Sequence, residues 1–378
     1  MKIGVLTYHR VINPGSVIQA WCVVQLAKEL FPGAEVEVID YRPMRMELRE
    51  LRKYVARRFP IVNRSHIAKT RSIRRFVNSA LPTGTTSLTS DNPLKAADWI
   101  DAQGYDAILV GSDTVWELRD GAYSPEGANA YFLPFHTKAR KVSIAASMDP
   151  VPEFSDRQLD VLRERVKWIA DFDVVTVRDE ATRDVLVAQG VRADGVELVA
   201  DPTLLVDWSC LLSVTPNVRT GRKRVCGVAL PKTIAPSVHR AVAQLGYEVW
   251  DWNGVASADA SYSLPSGLPL EERQRLYQEV DAFVTDRFHG SIFSILLGEA
   301  NVLFYEDPSK WARADSKGRS LLRRAGIEQS VVREMDRLSD PAFLADKLAG
   351  DTGVGAREHL LAFGRQSRER IAERVRAW

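Results

Sequence analysis

The chain has 378 residues, 45% of them hydrophobic and 26% charged, and a formal net charge of +2. These values are average for globular proteins, and no apolar run approaches the roughly 20 residues of a membrane-spanning helix, so we expect a soluble protein. At about 100 to 200 residues per domain, the length predicts two domains with two cores.

The first residues, MKIGVLTYHR, predict a buried strand rather than a signal peptide, because their apolar run is too short for a signal-peptide core. We therefore expect a cytoplasmic protein. Cys22, Cys210 and Cys226 are odd in number and lack metal-ligand spacing. We expect free thiols, with no disulfide, no metal ion and no cofactor.

Short β-branched runs alternate with helix-length segments along the chain, which is typical of an α/β fold with parallel sheets. After the first strand, Ser16 is predicted to cap a helix that is apolar nearly all round. The segment 81–92, rich in Thr, Ser, Gly and Pro, is predicted to be a loop. Predicted strands are 2–6, 35–40, 107–110, 141–145, 173–177, 197–199, 224–229, 248–250, 282–284 and 302–304.

A strongly basic segment follows the second predicted strand. From Arg42 to Arg75, twelve Lys or Arg accompany two acids, and 42–80 is predicted to be helical. Met44, Leu48, Leu51, Val55 and Phe59 recur at helical spacing within it. One interpretation is a solvated helix that covers a domain; the other is a surface for anionic lipid heads or a pyrophosphate-linked acceptor. Nucleic acid is disfavoured, because aromatic residues are not interleaved with the basic ones.

An irregular stretch at 212–223 precedes a fresh buried strand and is predicted to be the domain boundary. We therefore expect an N-terminal domain over 1–215 and a C-terminal domain over 222–350. The segment 356–378 is amphipathic and is predicted to return to the first domain, with Leu360, Leu361, Ile371, Val375 and Trp378 available for burial.

The segment 281–298, DAFVTDRFHGSIFSILLG, joins an apolar strand to an apolar helix with almost no spacer. In parallel α/β folds, this kind of junction faces the ligand crevice and points free N–H groups into it. Arg287 offers a planar donor fork to an anion, and His289 can move a proton near neutral pH. The pair predicts an anionic substrate and acid chemistry.

Three further polar clusters follow predicted strands. His9, Arg10, Asn13 and Gly15 lie before the first helix, where Gly15 permits close approach of a ligand, although a plain turn is the simpler interpretation. Ser112 and Asp113 follow the third strand, and Asp113 can accept a sugar hydroxyl or cap a helix. Arg178 ends another strand as an anion ligand or as half of an ion pair.

In their order and spacing, these segments resemble those of the polysaccharide pyruvyltransferase family. The resemblance rests on the strings MKIGVLTYHR, NPGSVIQA, YDAILVGSDTVW, KVSIAAS, VTVRDE, VADPTLL and VTDRFHGSIFSILLG. It implies two Rossmann-like parallel-sheet domains facing a cleft, as in GT-B glycosyltransferases. It also implies transfer of a pyruvyl unit from phosphoenolpyruvate to two hydroxyls of a saccharide, with release of phosphate.

The resemblance also implies roles for particular residues. Arg178 and Arg287 would anchor the donor's carboxylate and phosphate, with His289 as the acid and Asp113 orienting or deprotonating the acceptor hydroxyl. The softer substrate contacts expected are Phe288, His9, Asn13, Gly15, Ser112, Lys310 and Arg319.

Two departures from the family pattern are visible. Pro14 stands where many relatives have an aromatic residue, and Arg287 stands where many have Ser. The acceptor, whether a polysaccharide or its lipid-linked precursor, therefore stays open. The alternatives are a GT-B glycosyltransferase that uses a nucleotide sugar, and a non-catalytic protein that binds carbohydrate or a lipid surface. We also expect peripheral contact of segment 42–75 with the inner membrane surface.

Overall fold

The computed structural model describes residues 1–54, 63–118, 130–149, 154–212, 223–254, 257–309 and 316–377. By its internal contacts the chain divides into two units. Unit 1 comprises Met1–Val206 and Phe363–Trp378, and unit 2 comprises Asp207–Ala362. The predicted boundary falls mostly on residues 213–222, which lie outside the described residues.

Unit 1 is built on a five-stranded parallel sheet in the order β3-β2-β1-β4-β5, with β6 and β7 paired beside it. The order 3-2-1-4-5 is that of a Rossmann-like sheet, in which ligands bind at the carboxyl ends of the strands. Its strands are β1 (Lys2–Leu6), β2 (Glu35–Arg42), β3 (Thr83–Thr89), β4 (Ala107–Val110), β5 (Arg140–Ser143), β6 (Val175–Val177) and β7 (Val196–Leu198). Its helices are α1 (Pro14–Leu30), α2 (Met44–Arg52), α3 (Arg64–Ala80), α4 (Pro93–Asp101), α5 (Asp156–Ile169) and α6 (Glu180–Ala188).

Unit 2 repeats this architecture with a six-stranded parallel sheet in the order β10-β9-β8-β11-β12-β13. Its strands are β8 (Val225–Ala229), β9 (Glu248–Asp251), β10 (Tyr262–Ser263), β11 (Ala282–Thr285), β12 (Asn301–Tyr305) and β13 (Val331–Val332). Its helices are α7 (Ala235–Gln244), α8 (Leu270–Arg275), α9 (Phe288–Gly298), α10 (Lys317–Arg324) and α11 (Pro341–Leu348). A last helix, α12 (Thr352–Arg376), begins in unit 2 and ends in unit 1.

Both units bury their strands between helical layers, as the near-continuous apolar strands predict. Every residue of β4, β8, β11 and β12 is buried, and α1 buries most of its residues on all sides. The predicted α/β fold with two parallel sheets is therefore confirmed. Among the described residues, no helix is both long and apolar enough to cross a bilayer.

Two local predictions were wrong. Residues 83–89 form the edge strand β3, paired with β2, rather than a loop, because their four Thr favour strand conformation although the segment has little apolar pattern. The cap of α1 is Asn13, whose side chain accepts from the N–H of Gly15, so the helix begins three residues earlier than expected. On α2 the buried residues are Met46 and Glu50, whereas Met44, Leu48 and Leu51 are 42%, 46% and 55% exposed; Val55 and Phe59 lie outside the described residues.

The end of α12 packs on unit 1. The Ser367 hydroxyl accepts a hydrogen bond from the Ala200 N–H at 2.9 Å, and Arg368 pairs with Glu29 at 2.8 Å. Of the five residues expected to be available for burial in this segment, Leu360, Ile371 and Val375 are buried, Leu361 is partly buried, and Trp378 lies outside the described residues.

Candidate functional site

Asp113 lies at the carboxyl end of β4 with an unusual backbone. Its φ of 69° is left-handed, a conformation that costs about 1–3 kcal/mol in non-glycine residues and occurs often at functional sites. Two residues earlier, Gly111 cannot be replaced by a residue with a side chain, because a Cβ there would lie 2.4 Å from the carbonyl oxygen of Ile144. The Ser16 hydroxyl, from α1, donates to the Asp113 carboxylate. The side chain of Asp113 is 14% exposed.

Arg178, at the end of β6, lies in the same cluster and is buried between carboxylates. Its Nη1 donates to Asp201 at 3.2 Å, and its Nη2 lies 3.7 Å from an Asp113 oxygen. Burial alone would lower the pKa of Arg178, but the charges of Asp201, Asp113, Asp179 and Asp149 raise it above its ordinary value. The guanidinium therefore stays charged inside the protein.

Asp201 follows β7 and joins this cluster, although the residue pattern suggests only a turn. Its carboxylate accepts from the Thr203 hydroxyl at 2.7 Å and from the Thr203 N–H at 3.1 Å, which does shape a turn. It also accepts from the side-chain amide of Gln19, on α1. Asp201 thus connects α1 to the ends of β6 and β7.

A second polar cluster surrounds Asp40, near the end of β2. His9 Nε2 lies 3.0 Å from its carboxylate, Arg10 donates to both oxygens, and Arg42 lies 3.2 Å away. Burial would raise the pKa of Asp40, but the hydrogen bond and charge of His9, with the charges of Arg10 and Arg42, lower it to about 2. The other nitrogen of His9, Nδ1, lies 3.1 Å from the Thr7 carbonyl oxygen. Both ring nitrogens of His9 therefore lie within hydrogen-bond distance of an oxygen.

An open groove lies beside this Asp40 cluster. Arg10, Arg42 and Arg74 contribute cationic groups to its lining, and Glu47 and Glu50 contribute acids. The remaining lining is largely apolar and comprises Ile12, Leu51, Tyr54, Thr70, Ile73 and Val77. The groove therefore combines guanidinium groups with an apolar wall.

The other predicted residues of unit 1 have structural contacts of their own. His9 is 1% exposed and Ser112 is fully buried, so neither lines an open surface. Asn13 and Gly15 form the amino end of α1, where the Asn13 side chain accepts from the Gly15 N–H at 3.2 Å.

In unit 2, Arg287, Phe288 and His289 lie together where β11 passes into α9. Arg287 is the residue before the first helical turn, and its side chain is 62% exposed, with Nε 3.0 Å from Asp286. His289 is partly buried, and its ring stacks on Phe293 with centroids 5.9 Å apart. The ring of Phe288 meets His289 edge to face at 5.2 Å. An exposed guanidinium and a ring-stacked imidazole thus lie at a helix amino end.

Two further candidates lie elsewhere. Arg319 donates to the buried Glu306 at 3.0 Å and lies 3.5 Å from Glu328, which ties it into an ion-pair network with Arg333. Lys310 lies outside the described residues. Among the described residues, no group of three or more His, Cys, Asp or Glu side chains is arranged to hold a metal ion.

The structure therefore brings Asp113 and Arg178 together in unit 1, and Arg287, Phe288 and His289 together in unit 2. Sequence analysis did not single out Gln19, and it did not predict the contacts that Ser16 and Asp201 make in the Asp113 cluster. For Asp201 the available signal was its position within three residues of the end of a predicted strand, as for Asp113 and Arg178.

Comparisons with known proteins agree with this architecture. The model of the family described as "Polysaccharide pyruvyl transferase" matches residues 13–308, most of the chain. A comparison with curated proteins gave no match.

Among solved structures, Staphylococcus aureus MnaA with UDP has a TM-score of 0.55 and 9% identity, covering 100% of this chain and 96% of that one. Neisseria meningitidis UDP-GlcNAc 2-epimerase bound to UDP-GlcNAc also has a TM-score of 0.55 and 9% identity, covering 100% of both chains. Anabaena HepE in complex with UDP and glucose has a TM-score of 0.54 and 13% identity, covering 100% of both. At these identities the likeness shows the fold alone, which is GT-B-like.

Proposed function

The chain belongs to the polysaccharide pyruvyl transferase family, and from this premise we propose that it moves the pyruvyl unit of phosphoenolpyruvate onto two hydroxyls of a saccharide. The product is a cyclic ketal, and inorganic phosphate is released. Membership makes the chain a transferase that acts on polysaccharide. The observation that carries the finer proposal is the junction of β11 and α9, which joins Arg287 and His289 at a helix amino end inside the matched segment.

The proposed donor carries a carboxylate and a phosphate. A planar guanidinium binds either group through paired hydrogen bonds, which favours arginine over lysine. We assign Arg287 to the donor because its side chain is 62% exposed at a helix amino end, where free N–H groups also attract anions. Arg178 is the second proposed anchor, held in orientation by Asp201 and Asp113.

The proposed reaction begins with protonation of the vinyl CH2 carbon, for which His289 supplies the proton. The C=C electron pair forms the new C–H bond, and the central carbon becomes an oxocarbenium-like centre. The first acceptor hydroxyl adds to this carbon and loses its proton. Phosphate then leaves with the electron pair of its C–O bond, and the second hydroxyl adds and loses its proton. One released proton restores His289, and the other leaves with phosphate.

Asp113 is the proposed group that orients or deprotonates an acceptor hydroxyl. Its carboxylate is partly exposed, follows a strand end and is held by the Ser16 hydroxyl and by Arg178. A fixed, ionised carboxylate is suited to accept a hydrogen bond from a sugar hydroxyl and then its proton.

We also assign the groove beside the Asp40 cluster to the acceptor. Arg10 and Arg42 are held around the Asp40 carboxylate, whose pKa is about 2, so two guanidinium groups flank one anion. With Arg74 and an apolar wall, this chemistry fits the phosphate-linked apolar end of a lipid-linked saccharide precursor. The exposed Met44, Leu48 and Leu51 lie among arginines of α2, which fits peripheral contact with an anionic membrane surface.

The experiment that tests the function is an acceptor panel with phosphoenolpyruvate, followed by phosphate release and by the mass gain of the saccharide. His289→Ala should abolish turnover, while thermal stability and acceptor binding stay at the wild-type level. Arg287→Lys should raise the KM for phosphoenolpyruvate about tenfold or more, since a point charge replaces a fork. Full turnover by His289→Ala would remove His289 as the acid.

A calorimetric titration distinguishes the nucleotide-sugar alternative, which the UDP-bound structural neighbours bring forward. Phosphoenolpyruvate should bind, and UDP should not. Strong binding of UDP without any response to phosphoenolpyruvate would overturn the proposed function.

A further inference from the structure

The charge of Arg178 is shared unequally between two carboxylates. Its Nη1 donates to Asp201 at 3.2 Å, whereas its Nη2 is 3.7 Å from Asp113. The side chains of Arg178 and Asp201 are each 2% exposed, and that of Asp113 is 14% exposed. The closer partner of the guanidinium is therefore the buried Asp201, and the more accessible carboxylate has the longer contact.

Asp201 itself is held from two sides. Gln19, on α1, donates its side-chain amide to one carboxylate oxygen, and Thr203 donates its hydroxyl and its N–H to the other. A turn requires only the Thr203 contacts. The contacts to Gln19 and Arg178 fix a buried negative charge beside the guanidinium, and a buried charge acts strongly on its neighbours because water screens it little.

Resting on the proposed function, we propose that Asp201 is a positioning residue that acts through Arg178 to keep Asp113 basic. A guanidinium near a carboxylate stabilises its ionised form and weakens it as a base. Asp201 offsets much of that charge, so Asp113 remains held by Arg178 but keeps a higher proton affinity. A stronger base takes the proton of the acceptor hydroxyl more readily.

The charged and polar groups around this pair come from several elements. Asp149 and Asp179 also act on the charge of Arg178, and Ser16 donates to Asp113. None of these three residues is changed in the variants below. Differences between the variants therefore report on the negative charge beside Arg178.

The test measures the pH dependence of kcat/KM for the saccharide acceptor, with phosphoenolpyruvate saturating. Asp201→Asn keeps the size of the side chain and removes its charge, so Arg178 acts more strongly on Asp113. We expect the acidic limb of the profile to move down by about 0.5 to 1 pH unit. We expect kcat, measured at saturating phosphoenolpyruvate, to fall about threefold, since a weaker base transfers the proton less readily.

Gln19→Glu tests whether the acidic limb moves in the opposite direction, and it replaces Asp201→Asn as the test if that variant fails to fold. It adds a negative charge to the same cluster, so the acidic limb should move up. The double variant Gln19→Glu/Asp201→Asn transfers the charge from one position to its hydrogen-bonded neighbour, and its limb should return towards the wild-type position.

Thr203→Val is the matched structural control. It removes a hydroxyl from Asp201 and leaves every charge, so thermal stability should fall while the acidic limb stays in place. A limb that stays at the wild-type pH in both Asp201→Asn and Gln19→Glu overturns the inference and leaves Asp201 a turn residue. Asp113→Asn separately tests the proposed role of Asp113 as the base, on which the inference rests. Full turnover by that variant would exclude Asp113 as the base, whatever the other variants show.

Discussion

Arg10 and Asp40 form a two-pronged ion pair in which Nε donates at 3.1 Å and Nη2 at 2.8 Å to the two carboxylate oxygens. The carboxylate is 5% exposed, and the ring of His9 lies against the same oxygen that Nε reaches. His9 and Arg10, in the loop after β1, are thereby fixed to Asp40 near the end of β2, next to the groove beside the Asp40 cluster. The stability of this corner should depend on the charge of Asp40.

Asp40→Asn should lower the free energy of unfolding by about 2 kcal/mol at pH 7. The pKa of Asp40 is about 2 in the folded protein and near its ordinary value of 3.8 in the unfolded chain. A lowered carboxyl pKa stabilises the fold above the unfolded value, and this contribution disappears as the pH falls from about 4 towards 2. Urea unfolding at pH 7, 5 and 3 should show the wild-type advantage shrinking.

Asp91→Asn is the control for this series, because Asp91 is 38% exposed and 3.9 Å from Arg45. Its effect should stay within about 0.5 kcal/mol at every pH. An Asp40→Asn deficit of equal size at pH 3 and pH 7 would contradict the assignment.

Glu306→Gln should destabilise the protein by about 3 kcal/mol, because it leaves two guanidinium groups without their buried anion. Glu306 has no exposed side-chain surface, and Arg319 and Arg333 donate to it at 3.0 and 2.6 Å. Burial alone would raise its pKa, but hydrogen bonds from Arg319, Ser316 and Arg333 lower it. The deficit should therefore be largest near neutral pH and shrink on acidification.

The matched control is Glu299→Gln, since Glu299 is 42% exposed and 3.5 Å from Arg357. Thermal and chemical denaturation should show a change of less than about 0.5 kcal/mol. Equal losses in the two variants would argue that the Glu306 cluster contributes no more than a surface pair.

Gly364→Ala should cost about 2 kcal/mol, because a Cβ on Gly364 would lie 2.1 Å from the carbonyl oxygen of Leu204 and would force α12 away from unit 1. Gly355 is on the same helix and would meet nothing within 4 Å. Gly355→Ala should therefore be neutral or stabilise by up to about 1 kcal/mol, through helix propensity. Denaturant titration of the two variants should give opposite signs, and a neutral Gly364→Ala would refute the close packing.

Leu48→Asp/Leu51→Asp should reduce retention of the protein by liposomes that contain anionic lipid. Both side chains are exposed on α2, so the substitution removes apolar contact and adds two negative charges without opening the core. Wild-type protein should sediment with anionic liposomes at low salt and be released at high salt. Leu94→Asp is the control, because Leu94 is 71% exposed on α4. Equal recovery with neutral liposomes would contradict the proposed membrane contact.

The sequence predicted the strands that are continuous apolar runs, because burial on both faces leaves a strong local pattern. The predicted bounds of β1 and β4 coincide with those in the structure. It failed at β3, whose residues TGTTSLT have little apolar pattern and become a strand only through pairing with β2. On α2, helical spacing did not show which apolar side chains turn inwards: Met46 is buried, whereas Leu48 and Leu51 are exposed.

The sequence predicted individual residues of the candidate site, but not the contacts between them. Asp113 and Arg178 were identified because each follows a strand, and parallel strands place such residues at one edge of a sheet. Their contact, and the part that Asp201 plays in it, depends on tertiary packing of segments as far apart as Gln19 and Asp201. A single sequence contains no local signal for that contact. The family resemblance drawn from the ordered motifs is confirmed by the family match.

The docking of residues 363–378 on unit 1 also constrains biosynthesis. Unit 1 contains the first 206 residues, yet it is complete only with a segment translated after all of unit 2. A nascent chain therefore leaves the ribosome with its first sheet formed but with the surface that receives Ser367 and Arg368 still bare. Unit 1 therefore completes its packing only after residues 363–378 have been translated.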